Sequence, residues 1–277
     1  MSVPDSLVIR QACALLAQHL EPKLIQGNER IWLRPGTNLS GQKRAARANI
    51  GKQNSVSGAA ENKENPATRL ARLAEEARTA VEPRALGTLR DTFVFSTGNP
   101  FADLVFVGEA PGAEEEKAGE PFVGPAGALL DKIIKAMGLN RSQVYITNVV
   151  KFRPKIEGDQ GRANRKPTPQ ELASCLPIVQ RELAIIEPKV IVALGGSAFA
   201  GLTGTADARV NQARGRFHTW QGIPLMVTFH PSYLLRQSDE AAERSEKRKL
   251  WEDMLLVMEK LGLPISERQR GYFKSSP

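Results

Sequence analysis

The sequence predicts an α/β protein with three layers, αβα, around a central, mainly parallel four-stranded sheet and with an N-terminal extension. Three observations predict it. Short apolar runs of strand length occur at 104–107, 144–149, 190–194 and 225–229. Helical patterns at 127–137, 169–186, 197–202 and 240–261 fall between and after them, and such alternation marks a parallel sheet covered by helices. The first and last runs end in polar loops, where open parallel sheets bind ligands, outside the carboxyl ends of their strands.

Before the first strand, residues 5–20 place Leu7, Val8, Cys13, Leu15, Leu16 and Leu20 at helical intervals, a short amphipathic helix broken at Pro22. From 36 to 66 the chain is rich in Asn, Gln, Ser, Gly and Ala with scattered Lys and Arg. That composition cannot bury enough apolar surface to offset chain entropy and reads as a flexible basic linker. The expected organisation is therefore a helical extension over 1–35, a linker over 36–66, an α/β domain over 67–265 and a tail over 266–277.

Composition bounds the function. With 277 residues, 41% of them hydrophobic, the chain can bury a large core. No apolar run approaches the roughly 18 residues of a membrane span. The N-terminus lacks the pattern of a secretory signal. A cytoplasmic, monomeric protein without a membrane partner is expected. A net charge of +8 suits a polyanion, and suits mere solubility equally well. The two cysteines, Cys13 and Cys175, read as reduced residues rather than a disulfide, and no metal-ligand spacing is present.

The chemistry concentrates at the strand ends. The run 104–107 passes into Gly108-Glu109-Ala110-Pro111-Gly112 and on through Glu120-Pro121-Phe122-Val123-Gly124-Pro125-Ala126-Gly127. The second run ends in Thr147-Asn148-Val149-Val150-Lys151, followed by Arg153-Pro154 and Pro167-Thr168-Pro169. The last ends in His230-Pro231-Ser232-Tyr233-Leu234-Leu235-Arg236. Over roughly 85–262, these three ordered motifs resemble the uracil-DNA glycosylase superfamily, most closely its family-4 branch.

The resemblance implies removal of uracil from DNA in base excision repair, with uracil-containing DNA as partner. The base must leave the helix for its sugar carbon to be reached. On the resemblance, Asn148 reads uracil by donating to O4 and accepting from N3–H, a pattern that cytosine reverses. A site whose polar groups go unpaired with the wrong base discriminates strongly. Phe122 offers either an aromatic face to the base or simply a core side chain. Gly108, Ala110 and Gly112 bring backbone N–H groups to the base. His230 donates to the departing ring. The water-positioning carboxylate is open between Glu109 and the run Glu114-Glu115-Glu116, the family pattern favouring Glu116, because Ala110 stands where the best-known enzymes carry Asp.

For the duplex, Ser232, Tyr233, Leu234, Leu235 and Arg236 are expected to form a wedging, phosphate-gripping loop, the lesser alternative being that Leu234 and Leu235 merely start the next helix. Lys151, Arg153 and Arg165 are expected phosphate contacts, with Arg162, Arg214 and Arg216 as further candidates. The chain departs from family 4 in its cysteines: of four that hold an iron–sulfur cluster, Cys175 alone matches, and Phe152 stands at the third position. No cofactor is expected. The loop 155–166 has no histidine, the residue through which a related sub-branch traps its product, so ordinary turnover is expected. The alternatives are a glycosylase for hypoxanthine or xanthine, and a catalytically weak damage-binding protein.

Overall fold

A computed structural model describes residues 64–158, 163–205, 209–237 and 239–273. The chain divides into units Met1–Gly58 and Ala59–Pro277, and the described residues belong to the second. The expected extension, and the linker up to residue 63, lie outside them.

Strands β1 (Leu89–Phe93), β2 (Ser96–Gly98), β3 (Leu104–Gly108), β4 (Tyr145–Asn148), β5 (Phe152–Pro154), β6 (Val190–Leu194), β7 (Phe217–Trp220) and β8 (Ile223–Thr228) form two sheets. The larger runs β2-β4-β3-β6-β8-β7. Its inner four strands are parallel, in register Gly108 with Asn148, Val107 with Ala193, and Ala193 with Val227. The expected four-stranded sheet is thus six-stranded. The antiparallel edges β2 and β7 were missed because their three and four residues are only partly buried and carry no apolar run.

Period-two alternation explains the layering. Leu104 and Phe106 of β3, Val190, Val192 and Leu194 of β6, and Met226 of β8 join one core cluster. Val105, Val107, Ile191, Ala193, Leu225 and Val227 point to the other face. Helices α4 (Pro125–Ala136) and α9 (Glu240–Leu261) cover the first face through Leu130, Ile134, Met254 and Val257. Helices α1 (Pro66–Arg78), α5 (Pro169–Ile186) and α6 (Gly196–Thr203) cover the second through Leu73, Leu183 and Phe199. The remaining helices are short: α2 (Val81–Ala85), α3 (Ala113–Ala118), α7 (Val210–Ala213), α8 (Pro231–Leu234) and α10 (Glu267–Arg270).

Helix α5 starts as its sequence dictates: Thr168 accepts from the Glu171 N–H, Glu171 accepts from the Thr168 N–H, and Pro169 occupies the first turn. At the other end of the domain, Gln269 of α10 donates to the Ala136 carbonyl and accepts from Trp251 Nε1 through its own carbonyl. The boundary expected at 265 therefore cuts off residues that pack on the domain. Among the described residues no helix is long and apolar enough to cross a membrane.

Strands β1 and β5 pair antiparallel over a third cluster, in which Phe152 meets Phe93 at 5.4 Å between ring centroids and packs with Cys175 and Ile178. Arg84 lies over the Phe152 ring. These residues do not fit a four-thiolate cluster: Cys175 is the only cysteine among the described residues, and aromatic packing fills its surroundings.

Candidate active site

The four parallel strands deliver their carboxyl ends to one cleft of about 720 Å³. Strand β3 ends at Gly108, just before Glu109, β4 at Asn148, β6 just before Gly195-Gly196-Ser197, and β8 just before Phe229 and His230. Close packing at the floor explains the glycine of the first motif. A β-carbon on Gly108 would stand 2.2 Å from Asn148 Oδ1 and 2.6 Å from Phe122 Cζ.

Asn148 is buried, and its Oδ1 has no hydrogen-bond partner among the described residues. A buried acceptor left unsatisfied costs about 1–3 kcal/mol. At the lining of a cleft, that cost is recovered when a ligand supplies an N–H. Phe122 adds a second local cost: its φ of 56° lies in the left-handed region that a bulky residue rarely adopts. Its ring joins the core and stacks on the His230 ring at 5.6 Å while lining the cleft.

His230 caps α8. Its Nδ1 accepts the Ser232 backbone N–H at 3.1 Å and lies 2.8 Å from the Ser232 hydroxyl. An N–H can only donate, so Nδ1 carries the lone pair and the neutral ring keeps its proton on Nε2. Burial, reinforced by the Arg236 cation, pushes the His230 pKa down to about 4. The ring is thus neutral at physiological pH, a hydrogen-bond donor rather than an acid. Gly195, at φ +94°, lets the β6 turn approach it: a β-carbon there would sit 3.2 Å from His230 Cβ.

Glu109 lines the same cleft. Burial raises its pKa above the ordinary carboxylate value, against the opposing effects of a Ser197 hydrogen bond and the Lys166 and Arg236 cations. Ala110 and Gly112 also line the cleft. Glu115, one of the carboxylates left open by the sequence, accepts from the N–H groups of Gly112, Val123 and Gly124 at 3.0–3.2 Å and ties the halves of the motif together.

Several expected roles are corrected. Glu116 lies outside the cleft, bound to Arg153 at 2.9 Å. Arg153 is 1% exposed and donates also to Asn164 and the Ala163 carbonyl. Lys151 is fully buried against Glu182. Arg165 spends its five N–H donors on both Glu171 oxygens and the carbonyls of Thr88, Lys155 and Lys166. None of these three cations is free to grip phosphate. Arg214 is likewise held by Asp253, and Arg162 lies outside the described residues. In the last motif Ser232 serves His230, and Leu234, 1% exposed, belongs to the core, leaving Tyr233 and Leu235, 37% and 48% exposed, as apolar points on the surface.

Sequence reasoning missed Ser197, Lys166 and the stretch Arg209–Gln212, which also line the cleft. The Gly-Gly-Ser directly after a buried strand was a usable signal for the first. These placements separate two kinds of basic residue. Arg153→Ala should cost about 3 kcal/mol in chemical denaturation, because it strands buried partners. It should leave the salt dependence of DNA binding unchanged, whereas Lys166→Ala should lower that slope by about one.

Comparison with known proteins points the same way. The sequence pattern of the Uracil DNA glycosylase superfamily matches residues 95–255, more than half of the chain. The Type-4 uracil-DNA glycosylase of Thermotoga maritima is 42% identical over 156 residues, covering 56% of this chain and 78% of that protein. That of Sulfurisphaera tokodaii is 40% identical over 158 residues, 54% of this chain and 69% of that protein. A Type-5 uracil-DNA glycosylase of Thermus thermophilus is 33% identical over 120 residues, 38% of this chain and 51% of that protein.

Proposed function

This chain belongs to the uracil-DNA glycosylase superfamily, and from that premise we propose that it hydrolyses the N-glycosidic bond of uracil in DNA, releasing the base and leaving an abasic site for repair. One observation carries the assignment of roles. The unpaired amide oxygen of Asn148 and the Nε2–H side of His230 belong to residues lining a single cleft, beside the Phe122 ring.

The flipped uracil lies against Phe122, with N3–H donated to Asn148 Oδ1 and the Asn148 amide N–H donated to O4. Backbone N–H groups of the loop from Gly108 through Ala110 to Gly112 face the ring. As the bond from the sugar C1′ to N1 breaks, its electron pair passes to the uracil ring, and His230 donates to the developing oxyanion. Water adds to C1′ and gives up a proton to Glu109. Tyr233 and Leu235 enter the space left in the helix, with Arg236 beside them for phosphate. We infer a monomer acting on uracil-containing DNA in the cytoplasm.

The direct test is cleavage of a labelled oligonucleotide bearing one uracil, developed with alkali, beside hypoxanthine and undamaged controls. Scission confined to the uracil strand is expected; binding without scission would sink the proposal. A pH profile tests the base. Glu109 accepts a proton only as the carboxylate, and its pKa is raised while that of His230 is pushed down to about 4. As pH falls, Glu109 therefore titrates first and the rate drops with it. Glu109→Gln should lower the rate and abolish that acid limb; an unchanged limb in the variant would remove Glu109 from the role.

A further inference from the structure

Beneath the cleft lies a polar network for which the proposed reaction has no use. Lys151 Nζ donates to Thr147 Oγ1 at 2.6 Å and pairs with Glu182. Glu182 also accepts from Tyr145 Oη at 3.0 Å and lies 3.1 Å from Thr147 Oγ1, while Tyr145 Oη reaches Ser96 Oγ at 2.6 Å. Tyr145, Thr147, Lys151 and Glu182 are all buried, and the Lys151 ammonium sits 5.2 Å from the Phe95 ring centroid. Burial pushes the Lys151 pKa down and the Glu182 pKa up, each opposed by the partner's charge.

Such a pair is poor value as a stabiliser, since desolvation of two ions offsets their attraction and apolar side chains of similar size often serve as well. What it supplies is direction. Thr147 precedes Asn148 on β4, so their side chains leave opposite faces of the strand. Lys151 reaches back to Thr147 across Asn148, Val149 and Val150. Over the same residues, the Val149 and Val150 N–H groups donate to the carbonyls of Gly108 and Glu109, each at 3.0 Å. The turn that carries Asn148 is thus pinned to the first motif by its backbone and to α5 by Lys151.

We propose that Lys151 is a positioning residue for uracil recognition: clamped between Thr147 and Glu182, its ammonium fixes the turn after β4 that aims the Asn148 carboxamide into the cleft. This inference rests on Asn148 reading the base. It accounts for a lysine in the motif that cannot reach DNA, and for an ion pair placed directly behind an unsatisfied amide.

The test is single-turnover cleavage by the full chain carrying Thr147→Val, Thr147→Ser, or the pair Lys151→Met with Glu182→Gln, each alone and combined with Asn148→Ala. Thr147→Val should slow cleavage on the order of tenfold, the paired change should do the same, and Thr147→Ser, which keeps the hydroxyl, should restore the rate. In the Asn148→Ala background none of them should cost anything more, because the residue they position is gone. A wild-type rate in Thr147→Val, equal losses in both backgrounds, or failure of Thr147→Val to fold would overturn the inference, the last by making the network a device of the fold. Should Asn148→Ala itself cleave like wild type, the assignment of Asn148 fails; should it be slow while Thr147→Val is not, this inference alone fails.

Discussion

Replacing His230 with alanine should slow uracil release by about 10²–10³-fold while leaving the affinity for uracil-containing DNA nearly unchanged. Charge reaches the uracil ring only as the glycosidic bond breaks, so a donor aimed at it acts in the transition state far more than in the ground state. Loss of one preorganised donor of this kind costs about 2.7–4 kcal/mol. Preorganisation is visible in the geometry: Ser232 engages Nδ1 through its backbone N–H at 3.1 Å, which leaves the proton on Nε2, and the pKa near 4 keeps the ring neutral. A cationic imidazole would donate more strongly, but charging it in this buried site would itself be costly. Single-turnover rates under enzyme excess, with binding measured separately, check the split. A loss confined to affinity would move His230 from catalysis to binding.

Asn148→Ala should give a comparable loss of cleavage, about 10²-fold or more, without lowering the thermal stability of the domain. The two halves of this expectation share one cause. Oδ1 of Asn148 is buried without a protein partner, so removing the amide relieves an unsatisfied acceptor and offsets the small void left behind. In the proposed reaction the same amide supplies the pattern that distinguishes uracil from cytosine, so its removal should cost recognition of the base. Thermal melting beside single-turnover cleavage decides the matter. A variant that loses rate and stability together would show Asn148 to be a structural residue of the β4 turn.

How far the chain could be read without its structure depended on the range of the interactions involved. Strands β3 and β6 were legible as continuous apolar runs, β4 and β8 as apolar runs closing on Thr147-Asn148 and Thr228, and α5 because Thr168, Pro169 and Glu171 announce its start. The edge strands β2 and β7 carry no such pattern. Of the residues that the motifs singled out, Glu109, Ala110, Gly112, Phe122, Asn148 and His230 line one cleft, and Gly108 packs against Asn148 and Phe122. The charged residues were misjudged. Nothing near Lys151 or Arg153 in the chain names Glu182 or Glu116, their partners 31 and 37 residues away, and a lysine or arginine beside a binding motif looks like a phosphate contact until its partner is known.

The sequence by itself determined the order of the main strands and helices and the strand ends at which a site could form, since these follow from periodicity along a short stretch of chain, while the roles expected of Asn148 and His230 came from the motifs' resemblance to the family. Tertiary structure alone decided which cations face solvent, which carboxylate lines the cleft, and which nitrogen of His230 bears the proton. The first two depend on burial and on partners brought from elsewhere in the fold, the third on the turn that carries the Ser232 N–H to Nδ1, and desolvation acts only once the chain has closed around the group.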